Sequence, residues 1–224
     1  MQTTEKCYDE QVEFAHLLIS EGRVDEASFA LESLIKEFPS ETESYAILCN
    51  LCLSLERGDI PMEWILNAVR HDAAMSVAFI EYSSRLYIEN RLRECNKILE
   101  ALVWANPDNF EAWNDLGVVR FAMEDLVTAE KAFNQALALN PYYGESIMNL
   151  ASLNLATSRR DLAVQTALSA MNDKIEITPD LLQDLASLLS KVAPTESIKL
   201  LQKAEEMRKT YVEEEDEPVR KPRI

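Results

Sequence analysis

Apolar residues recur along this chain in two linked clusters, and the pair of clusters repeats every 34 residues. Three prolines set the ruler: Pro39, Pro107 and Pro141 stand 68 and 34 residues apart. Units counted from residues 8, 42, 76, 110, 144 and 178 bring the other columns into line. The seventh place holds Phe14, Leu48, Tyr82, Leu116, Leu150 and Asp184. The eighth is mostly small: Ala15, Cys49, Ser83, Gly117, Ala151, then Leu185. The twenty-fourth holds Leu31, Ile65, Leu99, Phe133, Ala167 and Leu201. Apolar places 4, 7, 8 and 11 form one cluster and 20, 24 and 27 the other. Both follow the i, i+3, i+4, i+7 spacing of an amphipathic helix. Each unit therefore predicts two helices, separated by polar or helix-breaking residues such as Glu21-Gly22-Arg23. Proline lacks an amide proton and clashes with the preceding turn, so it stops the second helix. The predicted fold is all-α, an α-solenoid of stacked helix-turn-helix pairs.

The run Trp113-Asn114-Asp115-Leu116-Gly117, followed by Ala129, Phe133, Ala136 and Pro141, resembles a tetratricopeptide repeat at nearly every signature place. Units 144–177 and 76–109 are similar, and the resemblance covers about 8–211. It implies a right-handed superhelix of about five repeats, plus a degenerate pair at 178–211 with Asp184 and Ser197 at core places. Unit 42–75 is irregular. Pro61 stands at the small-residue place of its second helix, which should start late and be short. Residues 1–7 precede the array as an N-terminal segment. The last helix, near 195–211, predicts a capping stripe of Ile198, Leu201, Ala204 and Met207. Residues 212–224, with the acidic run Glu213 to Glu217 and two prolines, predict a disordered charged tail.

Composition narrows the function. The chain has 224 residues, with 22 Lys+Arg against 39 Asp+Glu and a net charge of −17. So acidic a protein lacks the basic face that nucleic acid needs, and it is repelled by anionic membranes. No apolar run spans a bilayer, the polar N-terminus is not a signal peptide, and four cysteines suit a reducing compartment. The expected location is cytoplasmic.

Catalytic signals are weak. Cys49 and Cys52 form a Cys-x-x-Cys pair, but both fill core columns, as does Cys95. Buried cysteine behaves as a small hydrophobe. His16 and His71 lack metal-ligand spacing, and no phosphate-cradling or nucleophile-elbow motif occurs. Trp64, Trp104 and Trp113 lie in or beside core columns and should pack. No enzyme activity, cofactor or metal is expected.

Helical geometry places positions 2, 6, 9 and 13 of each first helix opposite the core. Through units one to five, places 2 and 6 carry seven carboxylates and no basic residue. Places 9 and 13 hold mainly small or apolar residues. The resemblance implies that this side lines a concave groove. On that reading Glu81, Glu111, Asp115 and Glu145 form an acidic edge, while Val118, Phe121, Met148 and Ser152 form a smooth floor. Asn114 and Asn149 would hydrogen-bond a ligand's backbone. The basic clamp that some relatives use for a C-terminal carboxylate lacks its residues here.

The expected role is a protein–protein interaction scaffold that takes a basic or amphipathic peptide or helix of another protein. The alternative is a regulatory or assembly subunit acting through the convex face or the irregular second repeat. A monomer is expected, with an exposed terminal helix or the groove as the route to any homodimer.

Overall fold

The computed structural model describes residues 2–57, 59–172 and 177–215. Among them there are helices and no strands. The helices are α1 (Gln2–Ser20), α2 (Val24–Glu37), α3 (Glu43–Ser54), α4 (Met62–His71), α5 (Met75–Ile88) and α6 (Leu92–Ala105). They continue as α7 (Phe110–Ala122), α8 (Leu126–Leu139), α9 (Gly144–Ala156), α10 (Arg160–Ser169), α11 (Pro179–Leu189) and α12 (Pro194–Glu215). No described helix is long and apolar enough to cross a membrane. The chain divides into two compact units, Met1–Met123 and Glu124–Ile224.

In the first unit each pair packs on the next: α1 on α2, α2 on α3, α3 on α4, α4 on α6, and α6 on α7. Its largest fully buried side chains include Tyr45, Phe79 and Tyr82. In the second unit α8 meets α9, α9 meets α10 and α11, and α11 packs along α12. The repeat columns explain this. Leu31, Ile65, Leu99, Phe133 and Ala167, one residue from each of five pairs, are all buried. Ala15, Cys49, Ser83 and Ala151 at the eighth place are buried too, and their small size allows close helix approach. Side chains cap some helices where the backbone needs it: Asn109 Oδ1 accepts from Ala112 N at 2.9 Å and so starts α7.

The turn inside each of the first five pairs has one geometry. Gly22, Glu56, Asn90, Glu124 and Ser158 share the fifteenth place of their units, and all have positive φ, between 55° and 72°. The next amide reaches back across the turn: Arg23 N to Leu18 O at 2.9 Å, Arg57 N to Cys52 O at 3.0 Å, and Arg91 N to Leu86 O at 2.8 Å. This left-handed C-cap satisfies carbonyls that the helix leaves open. In unit two the left-handed residue is Glu56, two places before the glycine of Arg57-Gly58-Asp59.

Several expectations need correction. α1 is already helical from Gln2, inside the segment set apart as 1–7. Phe14 is 51% exposed, although its seventh-place counterparts Leu48, Tyr82, Leu116 and Leu150 are buried. Trp104 is 74% exposed at the end of α6 rather than packed. In the sixth pair α11 slips in register. Its buried residues are Leu182, Leu185, Ala186 and Leu189, one residue later than the 34-residue columns require. In α12, Ser197 and Ala204 are buried at their expected columns, but Leu200 takes the buried place expected for Leu201, and Ile198 and Leu201 are exposed. The Ser197 hydroxyl donates to Ala186 O at 2.7 Å, which satisfies a polar group at a core place. Pro61 behaves as expected: it stands just before α4, which is only 10 residues long. α12 continues through Glu215, and the rest of the charged tail, 216–224, lies outside the described residues.

Candidate functional site

The first-helix face of the first unit carries a hollow of about 240 Å³ between α5, α6 and α7. Its wall includes Ser84 and Ile88 from α5, Leu99 from α6, and Asp115 and Val118 from α7. Ser84 and Ile88 are places 9 and 13 of the third unit, and Asp115 and Val118 are places 6 and 9 of the fourth. The hollow is thus rimmed by positions that helical geometry turns away from the core, with the core-column residues Ser83, Cys95 and Leu99 beneath them. The floor forms where the eighth place is small: Ser83 is buried, and its Oγ has no hydrogen-bond partner among the described residues. Ile88 is 82% exposed at the rim. A second hollow of about 290 Å³ lies on α1 and α3 of the same unit, with His16, Ile47, Asn50 and Ser54 in its wall. These are again places 9, 6, 9 and 13.

Six of the ten sequence-derived site residues lie in the first unit. Glu81 and Glu111 are exposed, and Asp115, Val118 and Phe121 are half-buried. Asn114 is only 5% exposed, and its Nδ2 donates to Asp115 Oδ1 at 3.3 Å. Its amide therefore orients the neighbouring carboxylate. In the second unit Glu145 is exposed, while Met148, Asn149 and Ser152 are half-buried. Met148 packs against the unit's core, and the Ser152 hydroxyl donates to Met148 O at 2.9 Å. Asp115 and Val118 line the same hollow, whereas Glu81, Glu111 and Phe121 are not in its wall. Ser83, Ser84, Tyr87, Ile88, Cys95, Leu99 and Val119 complete the wall and were not among the sequence-derived site residues. The available signal was an isoleucine at an outward place beside a serine at the small-residue place.

The thiols are not poised for chemistry. Burial pushes Cys49 and Cys52 upward, and burial with the Asp115 charge behind it pushes Cys95 up to about 12. All three stay protonated at neutral pH and are poor nucleophiles or metal ligands. Cys95 Sγ instead donates to Ser83 O at 3.2 Å. Cys7 is free and exposed. His71 Nδ1 stands 3.2 Å from Thr42 Oγ1, far along the chain from His16. Among the described residues, no cluster of His, Cys, Asp and Glu could hold a metal.

The family description "Tetratricopeptide repeat" matches residues 110–143. Mouse protein O-mannosyl-transferase TMTC1 is 26% identical over 144 residues, 62% of this chain. The chain spans only 15% of that protein's length. Among solved structures, YrrB aligns with a TM-score of 0.51 at 16% identity, over 82% of this chain and 94% of its own. PilF of Pseudomonas aeruginosa aligns with a TM-score of 0.48 at 18% identity, over 93% of both chains. TTC0263 of Thermus thermophilus gives a TM-score of 0.47 at 23% identity, over 81% of this chain and 98% of its own. Residues 110–143 thus match the tetratricopeptide repeat, and the 34-residue period and paired helices of the rest of the chain are similar to it.

Proposed function

We propose that the chain is a non-enzymatic interaction scaffold that seats a basic or amphipathic segment of a partner protein on the first-helix face. The observation that carries this reading is the α5–α7 hollow, where the Asp115 carboxylate stands beside Ile88 and Val118. Lysine and arginine carry a cationic head on an apolar stem, and such a wall accommodates both parts. Glu81 and Glu111 lie exposed on the same two helices, where they raise the local concentration of a basic segment and speed its encounter. In the second unit α9 carries acidic and apolar places of its own, led by Glu145 and Met148. YrrB is described as a repeat protein with an unusual peptide-binding site, which is in keeping with a peptide ligand. Four free thiols suit a cytoplasmic setting.

Affinity capture from native extract tests the reading, with wild type beside a Glu111→Lys, Asp115→Lys, Glu145→Lys variant whose helicity is verified by circular dichroism. A protein bound by wild type, lost by the variant and weakened by added salt supports it. A partner held equally by both removes the acidic face from the function.

A second reading has its own observation. Trp104 is an exposed tryptophan on a second helix, outside the hollow, and tryptophan is enriched among residues that dominate interface energies. A partner retained by the charge variant but lost by Trp104→Ala assigns a regulatory or assembly role to that other surface.

A further inference from the structure

Two concavities of the first unit have apolar walls, and they differ in their polar atoms. A groove of about 510 Å³ lies between α1 and α2, with Phe14 and Phe29 in its wall beside Asp25 and Glu26. The Glu26 carboxylate is closed by the Arg23 guanidinium at 2.6 and 2.8 Å. No buried polar atom of that wall lacks a partner among the described residues. The α5–α7 hollow is different. Its wall includes Ser83, whose side-chain oxygen is buried and has no hydrogen-bond partner among the described residues. The repeat does not require this hydroxyl, because the eighth place is alanine in the first and fifth units, Ala15 and Ala151. A buried polar atom without a partner has lost its hydrogen bonds to water and gained no others. Serine turns about one side-chain bond, so this oxygen can meet a donor that enters the hollow.

Ser84 and Asp115 line the same space. The Ser84 hydroxyl donates to Ile80 O at 3.1 Å, which leaves its lone pairs to accept. Asp115 accepts from Asn114 Nδ2 at 3.3 Å. Its negative field reaches the floor, where burial first and the Asp115 charge second push the Cys95 thiol up to about 12. Glu81 and Glu111, exposed on α5 and α7, make no ion pair among the described residues. The basic residues of those two helices have other partners: Arg85 stands 5.2 Å from the centre of the Tyr82 ring, and Arg120 pairs with Glu100. The volume of about 240 Å³ exceeds the roughly 150 Å³ that holds benzene in an apolar protein cavity and falls short of the roughly 300–1,000 Å³ of drug-sized pockets, so it suits one long side chain. We infer that the hollow takes a single lysine side chain of the partner segment, its methylenes against Ile88, Leu99 and Val118 and its ammonium among Asp115, Ser83 and Ser84. This rests on the peptide-seating reading above and narrows it from a basic segment to one residue type. The three N–H donors of an ammonium are matched by Asp115, Ser83 and Ser84. Arginine brings five donors in a planar fork, and an otherwise apolar wall leaves some of them unpaired.

Nuclear magnetic resonance titration of the full chain tests this, with N-acetyl-lysine methylamide as the probe beside its arginine and norleucine counterparts. The lysine probe should shift the amides of Ser84, Ile88, Asp115 and Val118 and saturate in the millimolar range. The arginine probe should bind about fivefold more weakly, and norleucine, which has the stem without the charge, about tenfold more weakly. Ser83→Ala should weaken the lysine probe by about three- to tenfold. The same variant should lose no stability in urea unfolding, because it removes an unpartnered hydroxyl and installs the residue of the first and fifth units. Asp115→Asn, with helicity verified by circular dichroism, should weaken the probe by about tenfold. Lysine binding unchanged by Ser83→Ala or by Asp115→Asn overturns the proposal. So does arginine or norleucine that binds as well as lysine, or a lysine probe that shifts no amide of the hollow. The wider acidic-face reading fails separately, when the partner captured from extract ignores the Glu111→Lys, Asp115→Lys, Glu145→Lys variant.

Discussion

The α5–α7 hollow and the α1–α2 groove both expose apolar side chains, for opposite reasons. The hollow uses places that point away from the core in every repeat, so Ile88 and Val118 are outside by design of the period. The groove uses a core place, the seventh, whose counterparts in the next four units are buried, and there Phe14 is exposed. An exposed hydrophobe in a repeat protein therefore has meaning only relative to its column. The first kind describes a surface that each repeat carries, and the second a core column that is open in one unit.

The sharpest way to break this comparison is to truncate one column twice. Tyr82 and Phe14 both stand at the seventh place, but Tyr82 is buried. Tyr82→Ala should destabilise by about 3–5 kcal/mol in urea unfolding, and Phe14→Ala by about 1 kcal/mol or less. Equal losses would show that Phe14 is covered in solution. The next test concerns α12. Leu200→Ala should lower stability by about 2–5 kcal/mol, while Leu201→Ala stays within about 1 kcal/mol. The reverse order would return the buried place to Leu201.

A third test uses the thiols beneath the hollow. In the folded chain a thiol-reactive dye should label Cys7 quickly and Cys49, Cys52 and Cys95 only after unfolding. The raised Cys95 pKa means that the folded state binds this proton more tightly than the unfolded one. Its contribution to stability is complete below pH 9.0 and is lost as pH rises towards about 12. Stability that climbs through that window would contradict the burial. The smallest effect concerns the turns. Glu124 and Ser158 hold positive φ without being glycine, a conformation that disfavours a side chain by about 1–2 kcal/mol. Glu124→Gly should therefore raise the unfolding midpoint by the equivalent of about 1 kcal/mol or less, since glycine also loses more entropy on folding.

The columns made the helix pairs legible, together with the late start of α4 and most of the core. Spacing carries that information directly, because burial on a helix face is a question of angle. Residues set by tertiary context were less legible. Trp104 shares the apolar character of its neighbours, and only the packed structure leaves it outside. The slip of α11 was hidden because that helix has leucines at 181, 182, 185, 188 and 189, which fit two registers. For the site, the sequence brought Asp115 and Val118 to one face. It could not reveal that Asn114, two places from a core residue, turns inward to orient Asp115.

The shared left-handed turn has a consequence for solvent exchange. Loops between helices usually trade their amide hydrogens with water first, long before the helices open. Here the amides of Arg23, Arg57, Arg91 and Arg159 are each held by a carbonyl of the helix just ended, at 2.8 to 3.0 Å. These protons can leave only when the last turn of that helix opens. The tight turns should therefore exchange in step with their helices, and a deuterium-labelling map of the chain should show protection running through each turn and dropping at the junctions between pairs.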